Sequence, residues 1–206
     1  MVQRGLSKKD LGHDSAALSF RMAIVTSFPP TSATRPRRVA VPAIMDIEAS
    51  GFGRNSYPIE VGYVLPDGTS FCTLIRPQPH WTHWDETAHQ VHQIPRELLM
   101  QHGRSVNEVA DLLNDRLRGQ VLFSDGWAHD YAWLAILYEE AGRMPSFKLD
   151  TLRKLLPEDE VHAWSTTKRE VGASMSLPRH RASADARVLQ QTWLRLTGNA
   201  PDPVAA

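Results

Sequence analysis

Two acidic residues, Asp46 and Glu48, lie two positions apart inside the apolar run VAVPAIMDIE, which covers residues 39–48. This run predicts a buried β-strand, in which alternate side chains point to opposite faces. Asp46 and Glu48 therefore share one face, with about 7 Å between alternate positions, and Met45 and Ile47 share the other. Carboxylates are costly to bury without a partner. The run thus favours either a site for a hard divalent cation such as Mg²⁺ or Mn²⁺ or an edge strand whose charged face is exposed to solvent.

The residues that follow predict a three-stranded meander. Two strand-like runs, Ile59 to Leu65 and Ser70 to Arg76, are joined through Pro66-Asp67-Gly68. Proline, aspartate and glycine in this order are typical of a tight turn between antiparallel strands.

Helices and strands alternate after the meander. Ser105 and Glu108 form a capping-box pattern ahead of apolar residues at helical spacing, which predicts a helix that Gly119 ends. The other predicted elements are a strand at Val121–Phe123, a helix from about Asp130 to Glu140, a short strand at Phe147–Asp150 and a terminal helix over residues 182–196, ended by Gly198. This order predicts an α/β domain.

Composition limits the class of protein. The 206 residues, 42% of them hydrophobic, suit one domain with an appendage. A single cysteine, Cys72, excludes an intramolecular disulfide framework, a zinc ribbon and a CxxC redox pair, and suits a reducing cytoplasm. The sequence has neither a run of about 18 uncharged apolar residues nor a signal-type segment, so we expect no membrane association.

Charge is distributed unevenly over a chain whose formal net charge is zero. Residues 1–38 carry seven Lys or Arg and two Asp, and the remainder is correspondingly acidic. We expect a disordered basic arm over residues 1–38, a domain over 39–198 and a flexible tail over 199–206. The arm is either simply solvated or attracts nucleic acid.

Histidines and tryptophans between residues 80 and 127 permit two further functional interpretations, a zinc site and base stacking. Two His-x2-His pairs suggest a histidine-based metal site, for zinc, although a surface segment bordering a groove is the better interpretation. Three tryptophans could stack on unpaired bases, but apolar packing is the better interpretation for each. The residues concerned are His80, His83, His89, His92, Trp81, Trp84 and Trp127.

Three motifs in order resemble those of the DEDDh branch of the 3′ to 5′ exonuclease superfamily. They are Asp-Ile-Glu on the first strand, Asp130 at a strand-to-helix junction, and His180-x4-Asp185 at the start of the last helix. On one continuous helix, residues five apart would point about 140° apart. His180 must therefore precede the helix if it shares a site with Asp185. The resemblance covers about residues 39–197, and IEVGYV from Ile59 and VHQI from Val91 support it.

The resemblance implies a ribonuclease H-like fold, with a mixed central sheet flanked by helices. It further implies that two divalent cations, Mg²⁺ or Mn²⁺, are bound by carboxylates while His180 acts as the general base on water; the carboxylates are Asp46, Glu48, Asp130 and Asp185. Two cations about 3.5 to 4 Å apart can activate water and stabilise the leaving oxygen. The expected substrates are single-stranded DNA or RNA 3′ ends, and the products are nucleoside 5′-monophosphates. A homodimer is left open.

The second motif departs from the family pattern. The chain reads SDGWAHDYAWL from Ser124, so Asp125 competes with Asp130 for the role. Asp130 is preferred because Tyr131, Ala132, Trp133 and Leu134 follow it in the family's pattern of two spacers, an aromatic residue and leucine. The alternative to an enzyme is a nucleic-acid-binding module that keeps the fold with little turnover.

Overall fold

The computed structural model describes residues 40–175 and 180–198. The elements are β1 Ala43–Ala49, β2 Pro58–Val64, β3 Ser70–Leu74, α1 Glu86–His92, α2 Arg96–His102, α3 Val106–Leu117, β4 Val121–Ser124, α4 Trp127–Glu140, β5 Lys148–Thr151, α5 Trp164–Ser174 and α6 Ala182–Leu196. Two short 3₁₀ helices, Leu152–Leu155 and Glu158–Glu160, lie between β5 and α5. The predicted arm over residues 1–38 and the tail over 199–206 lie outside the described residues.

A five-stranded mixed sheet in the order β3-β2-β1-β4-β5 forms the centre of the domain. β1, β2 and β3 pair antiparallel, which confirms the predicted meander. β4 pairs with β1 and with β5 in parallel, as expected for strands connected through helices. The mixed sheet predicted from the sequence is therefore confirmed.

Each face of the sheet packs against helices, as the alternation along β1 requires. Met45 and Ile47 join the core on the face that α3 and α4 cover. Ile44 packs on the opposite face with Leu189 and Trp193 of α6. Asp46 and Glu48 share the face of Ile44, so they point towards α6.

A local signal explains how α3 begins, but none explains the start of α4. The Ser105 side chain accepts a hydrogen bond from the Glu108 N–H at 3.3 Å, and the Glu108 carboxylate accepts one from the Ser105 N–H at 2.8 Å. This confirms the predicted capping box. α4, however, begins at Trp127, three residues earlier than predicted, and its N-cap Gly126 offers no side chain. Asp130 thus lies in the first turn of α4 and does not cap it.

Three helices, α1, α2 and α5, were not predicted. Each buries very little: α1 buries His92, α2 buries Leu99, and α5 buries Trp164 and Val171. Such short contacts leave no repeating apolar face in the sequence. No helix among residues 40–175 and 180–198 is long and apolar enough to cross a bilayer.

Candidate active site

Three carboxylates from two elements meet at one edge of the sheet. Asp46 and Glu48 project from β1 towards α6, and Asp185 lies in the first turn of α6. One carboxylate oxygen of each lies within 4.8 Å of the others. Residues 139 positions apart in sequence therefore present oxygens at the spacing that a shared cation requires.

The start of α6 is fixed on β2 by a buried ion pair. Glu60 is fully buried and accepts hydrogen bonds from Arg181 Nη2 at 2.6 Å and from the Ala182 N–H at 2.9 Å. Gly62 allows the helix to come close, since a Cβ at this position would lie 2.3 Å from the Ser183 nitrogen. Asp185 owes its position to these contacts.

Asp130 approaches the same site from α4. Its side chain is buried and accepts hydrogen bonds from the Ser124 hydroxyl, at the end of β4, and from the Ile47 N–H of β1. It does not belong to the three-carboxylate cluster, but it lies close enough to Asp46 to raise the pKa of that residue.

A cavity of about 770 Å³ brings these groups together. All five residues that the resemblance assigns to the site line this cavity: Asp46, Glu48, Asp130, His180 and Asp185. It lies at the carboxyl ends of β1 and β4, where binding sites of open α/β sheets commonly form.

Repulsion among the carboxylates perturbs their ionisation. Burial, followed by the charges of Asp130, Glu48 and Asp185, raises the pKa of Asp46 well above its usual value. Burial and the nearby Asp185 raise the pKa of Glu48 to about 8. Burial raises the pKa of Asp130 to about 7 despite the hydrogen bonds that it accepts. A divalent cation would relieve this repulsion, and carboxylate oxygens are the ligands that Mg²⁺ and Mn²⁺ prefer, so the donor set fits such ions.

His180 lies two residues ahead of α6, with a left-handed φ of 57°. It lines the cavity, as sharing a site with Asp185 requires. His92 lines the same cavity from the end of α1 and accepts a hydrogen bond at Nδ1 from the Ile94 N–H at 3.0 Å. Its buried Nε2 has no hydrogen-bond partner among the described residues, and burial lowers its pKa to about 4. His92 is therefore neutral near pH 7.

Asp125 has partners on a different element. Its carboxylate accepts hydrogen bonds from Trp164 Nε1 at 3.1 Å and from Lys168 Nζ at 2.6 Å, both on α5. Asp125 thus ties α5 to the turn before α4, whereas Asp130 lies between β1 and β4.

The histidines between residues 80 and 92 do not form a second metal site. In the described part of the chain, the only cluster of three or more potential ligands is Asp46, Glu48 and Asp185. His80 contacts Glu140 and His89 contacts Glu86. The His89 and His92 rings lie 5.8 Å apart, but among the described residues no third ligand joins them. The histidine-based alternative therefore has no structural support.

The tryptophans with proposed stacking roles pack elsewhere. Trp81 is buried against the Tyr57 ring, and Trp127 donates to the Leu149 carbonyl at 3.1 Å. The cavity is instead lined by Phe52, whose exposed ring contacts His129 and Trp133.

Comparison with known proteins identifies the fold. No protein-family model and no curated protein matches this sequence. Among solved structures, a full-length 3′-exonuclease superposes with a TM-score of 0.57 at 16% identity, over 76% of this chain and 60% of its own. A complex of E. coli exonuclease I with single-stranded DNA has a TM-score of 0.55 at 11% identity, over 72% and 38% of the two chains.

A 3′-exonuclease described as recognising the 3′ end of a histone mRNA stem-loop gives a TM-score of 0.55 at 15% identity, over 74% and 62% of the chains. This chain therefore has the fold of the 3′-exonucleases, and its acidic cluster agrees with the motif resemblance. It spans less than two thirds of the length of each of these structures.

Sequence reasoning missed two sets of residues at the site. Glu60 interrupts an apolar strand in the way that marked Asp46 and Glu48, so the same signal could have found it. Lys168 and Arg169 line the cavity from α5, whose sequence gives no periodic pattern by which to place them.

Proposed function

We propose that the protein is a metal-dependent 3′ to 5′ exonuclease of the DEDDh type that removes nucleoside 5′-monophosphates from single-stranded DNA or RNA. The observation that carries this proposal is the convergence of Asp46, Glu48 and Asp185 in one cavity, within the fold of the 3′-exonucleases. Two solved structures of that fold are described as an exonuclease in complex with single-stranded DNA and as a 3′-exonuclease that recognises an mRNA 3′ end. These descriptions support the proposed substrate class.

The carboxylates would hold two Mg²⁺ or Mn²⁺ ions, through Asp46, Glu48 and Asp185 together with Asp130. Bound cations would lower the pKa of the attacking water and neutralise charge on the phosphodiester. The chain itself positions these ligands: β1 orients two of them, α6 supplies the third, and the hydrogen bonds to Asp130 set its direction. Cation binding therefore depends on the docking of α6 and α4 on the sheet.

His180 is the general base in this proposal. Its imidazole takes one proton from the attacking water, whose oxygen forms the new bond to phosphorus as the bond to the 3′ oxygen breaks. The leaving 3′ oxygen is protonated from solvent, and the products are a 5′-monophosphate and a strand shortened by one nucleotide. His180 supports this role by its position, since it precedes α6 with a left-handed backbone and lines the cavity.

A 5′-labelled 15-mer of deoxythymidine and its uridine counterpart test the proposal with Mg²⁺, Mn²⁺ or EDTA. We expect ladders that shorten one nucleotide at a time from the 3′ end, release of 5′-monophosphates, and complete dependence on the cation. A circular single strand serves as the control, because an exonuclease leaves it intact. Cleavage of the circle, or 3′-monophosphate products, would contradict the proposal.

The second candidate function is a nucleic-acid-binding module with little turnover. The acidic cluster argues against a binding module, because three close carboxylates without a bound cation would repel the negatively charged nucleic acid. Retention of labelled oligonucleotide without release of nucleotides at saturating Mn²⁺ would favour this candidate.

A further inference from the structure

Positive charge in the cavity comes from one helix. Among the described lining residues, Lys168 and Arg169 are the only Lys or Arg, and both belong to α5. The acidic lining residues are Asp46, Glu48, Asp85, Asp125, Asp130 and Asp185. A nucleic-acid strand that enters such a cavity needs cationic contacts beyond the metals, since phosphate charge dominates protein–nucleic acid affinity.

Lys168 is held in place at the cavity wall. Its ammonium lies 2.6 Å from Asp125, and the same carboxylate accepts the Trp164 Nε1–H at 3.1 Å. These two bonds anchor one turn of α5 to the end of β4. Lysine loses much side-chain entropy when it is immobilised, and an ammonium ordered before binding avoids part of this cost when the ligand arrives.

Lys168 also lies within electrostatic range of the carboxylates. Its charge lowers the pKa of both Asp46 and Asp130, although burial raises both overall. A cation that acts on the carboxylates from the cavity wall can also attract a phosphate that lies beside them.

We propose that Lys168 and Arg169 form a phosphate-binding wall, which holds the backbone of the strand whose 3′ end occupies the cavity. This inference rests on the proposed function and adds the residues that bind the non-reacting phosphates. Side chains of adjacent helical residues diverge by about 100°. Lys168 and Arg169 therefore engage separate phosphates, with Lys168 nearer the carboxylates and Arg169 at a second point on the wall.

A purely structural role for Lys168 predicts a different outcome. If its only task is to tie α5 to Asp125, then Asp125→Asn should reproduce the effect of Lys168→Gln, and Arg169→Gln should change nothing. If both cations bind phosphate, each replacement removes one ionic contact. Asp125→Asn leaves both ionic contacts with phosphate in place and removes a negative charge from the cavity.

The test is equilibrium binding of a labelled deoxythymidine 15-mer and a uridine 15-mer, by fluorescence anisotropy over a range of NaCl. Ca²⁺ replaces Mg²⁺ so that the strand stays intact, and gel analysis of the recovered strand checks this. Each phosphate contact contributes about 0.7 to the slope of log affinity against log salt for a single strand. We expect Lys168→Gln and Arg169→Gln each to reduce the slope by about this amount.

Matched controls are Lys154→Gln and Arg118→Gln, which remove the same charges from exposed ion pairs outside the cavity lining. Their slopes should equal that of the parent. The inference would be overturned if both α5 variants kept the parental slope. It would also be overturned if Lys168→Gln and Asp125→Asn changed the slope equally and Arg169→Gln left it unchanged. If the parent hydrolyses the strand but the slopes of the two α5 variants equal the parental slope, only the inference is refuted and the exonuclease proposal stands. Reduced slopes without hydrolysis by the parent leave the inference standing and refute the exonuclease proposal. Absence of both binding and hydrolysis by the parent refutes both proposals, and absence of binding alone refutes the inference.

Discussion

Arg181 donates hydrogen bonds to both carboxylate oxygens of Glu60, the cross-strand partner of Glu48. Glu60 is fully buried, whereas the Arg181 side chain is 41% exposed. The pair lies directly ahead of α6 and compensates a charge that would otherwise stand beside the carboxylate cluster. The ion pair therefore allows Glu60 to lie on the same face of the sheet as Asp46 and Glu48.

Replacing Arg181 by glutamine should leave the Glu60 charge poorly compensated. We expect a loss of about 1 to 3 kcal/mol in the free energy of unfolding, since solvent reaches part of the guanidinium and weakens the pair. Urea unfolding measures this loss. Arg195→Gln is the control, because its ion pair with Glu170 is about half exposed on both sides and its loss should cost at most about 0.5 kcal/mol. Equal losses in the two variants would contradict the role given to Glu60.

A methyl group at Gly62 should displace α6. The added Cβ would lie 2.3 Å from the Ser183 nitrogen, so the helix start must shift. Overpacking of this kind costs about 1 to 3 kcal/mol, and the shift should also weaken Mn²⁺ binding by moving Asp185. Thermal unfolding with and without Mn²⁺ measures both effects.

Gly172→Ala is the matched control for stability, since its Cβ would meet Val188 at an ordinary 3.8 Å. Alanine is the better helix former, so we expect a gain of up to about 1 kcal/mol. If Gly62→Ala is as stable as this control and binds Mn²⁺ equally well, then α6 does not depend on the contact at Gly62.

Single amide replacements of the four carboxylates should each abolish most turnover. For Asp46→Asn, Glu48→Gln, Asp130→Asn and Asp185→Asn we expect losses greater than the ~10- to 100-fold that outer-shell partners of a metal contribute. Pairs of replacements should cost little more than single ones, because the residues act as a unit. Single-turnover rates at saturating Mn²⁺ measure the losses. Asp125→Asn should keep most of its turnover, and an inactive Asp125→Asn beside an active Asp130→Asn would reverse the second-motif assignment.

The stability of the metal-free protein should fall as pH rises. Glu48 has a pKa of about 8 in the folded protein and an ordinary value of 4.5, so between these pH values the folded state holds a proton that the unfolded state has lost. The free energy of unfolding therefore decreases across this window. Asp130 acts in the same direction up to about pH 7.

Glu48→Gln removes the Glu48 contribution, so its melting temperature in EDTA should exceed that of the parent increasingly from pH 5 to pH 8. Each kcal/mol recovered should raise Tm by about 2 to 4 °C for a chain of this size. The variant should also lose the stabilisation that Mn²⁺ gives the parent at pH 8. Parallel melting profiles of the two proteins in EDTA would show that Glu48 is not the titrating group.

His180→Ala should lower turnover by about 10²- to 10⁴-fold, the usual contribution of a general base. Binding of Mn²⁺ should be retained, because the carboxylates provide the oxygen ligands. A general base acts only in its unprotonated form, so turnover of the parent should fall on the acidic side of its pH profile. Single-turnover pH profiles at saturating Mn²⁺ test this, since saturation prevents carboxylate protonation from being mistaken for the base. A variant with the parental acidic limb and rate would exclude His180 as the base.

Local signals in the sequence predicted the meander and several of the helices, and the motif resemblance supplied the mixed sheet. The capping box of α3, the turn between β2 and β3 and the apolar spacing of α6 each act within a few residues, so they are legible without tertiary contacts. Alternation along β1 likewise determined which face Asp46 and Glu48 occupy. Asp46 and Glu48 could be named because carboxylates are costly to bury inside an apolar strand. Asp130, His180 and Asp185 could be named only through the resemblance to the exonuclease motifs, since each is an ordinary residue in its own segment.

How those residues meet, and what surrounds them, depends on tertiary contacts. α5 buries only Trp164 and Val171, so its sequence has no repeating apolar face, and Asp125 from another segment holds its Trp164 and Lys168. The start of α4 at Trp127 depends likewise on packing, since Gly126 provides no capping side chain. The docking of α6 through Glu60 joins residues more than 120 positions apart. Glu60 stands out in the sequence because it interrupts an apolar strand, but nothing near it identifies Arg181 as its partner. Contacts over such separations leave no local pattern that pairs the two residues.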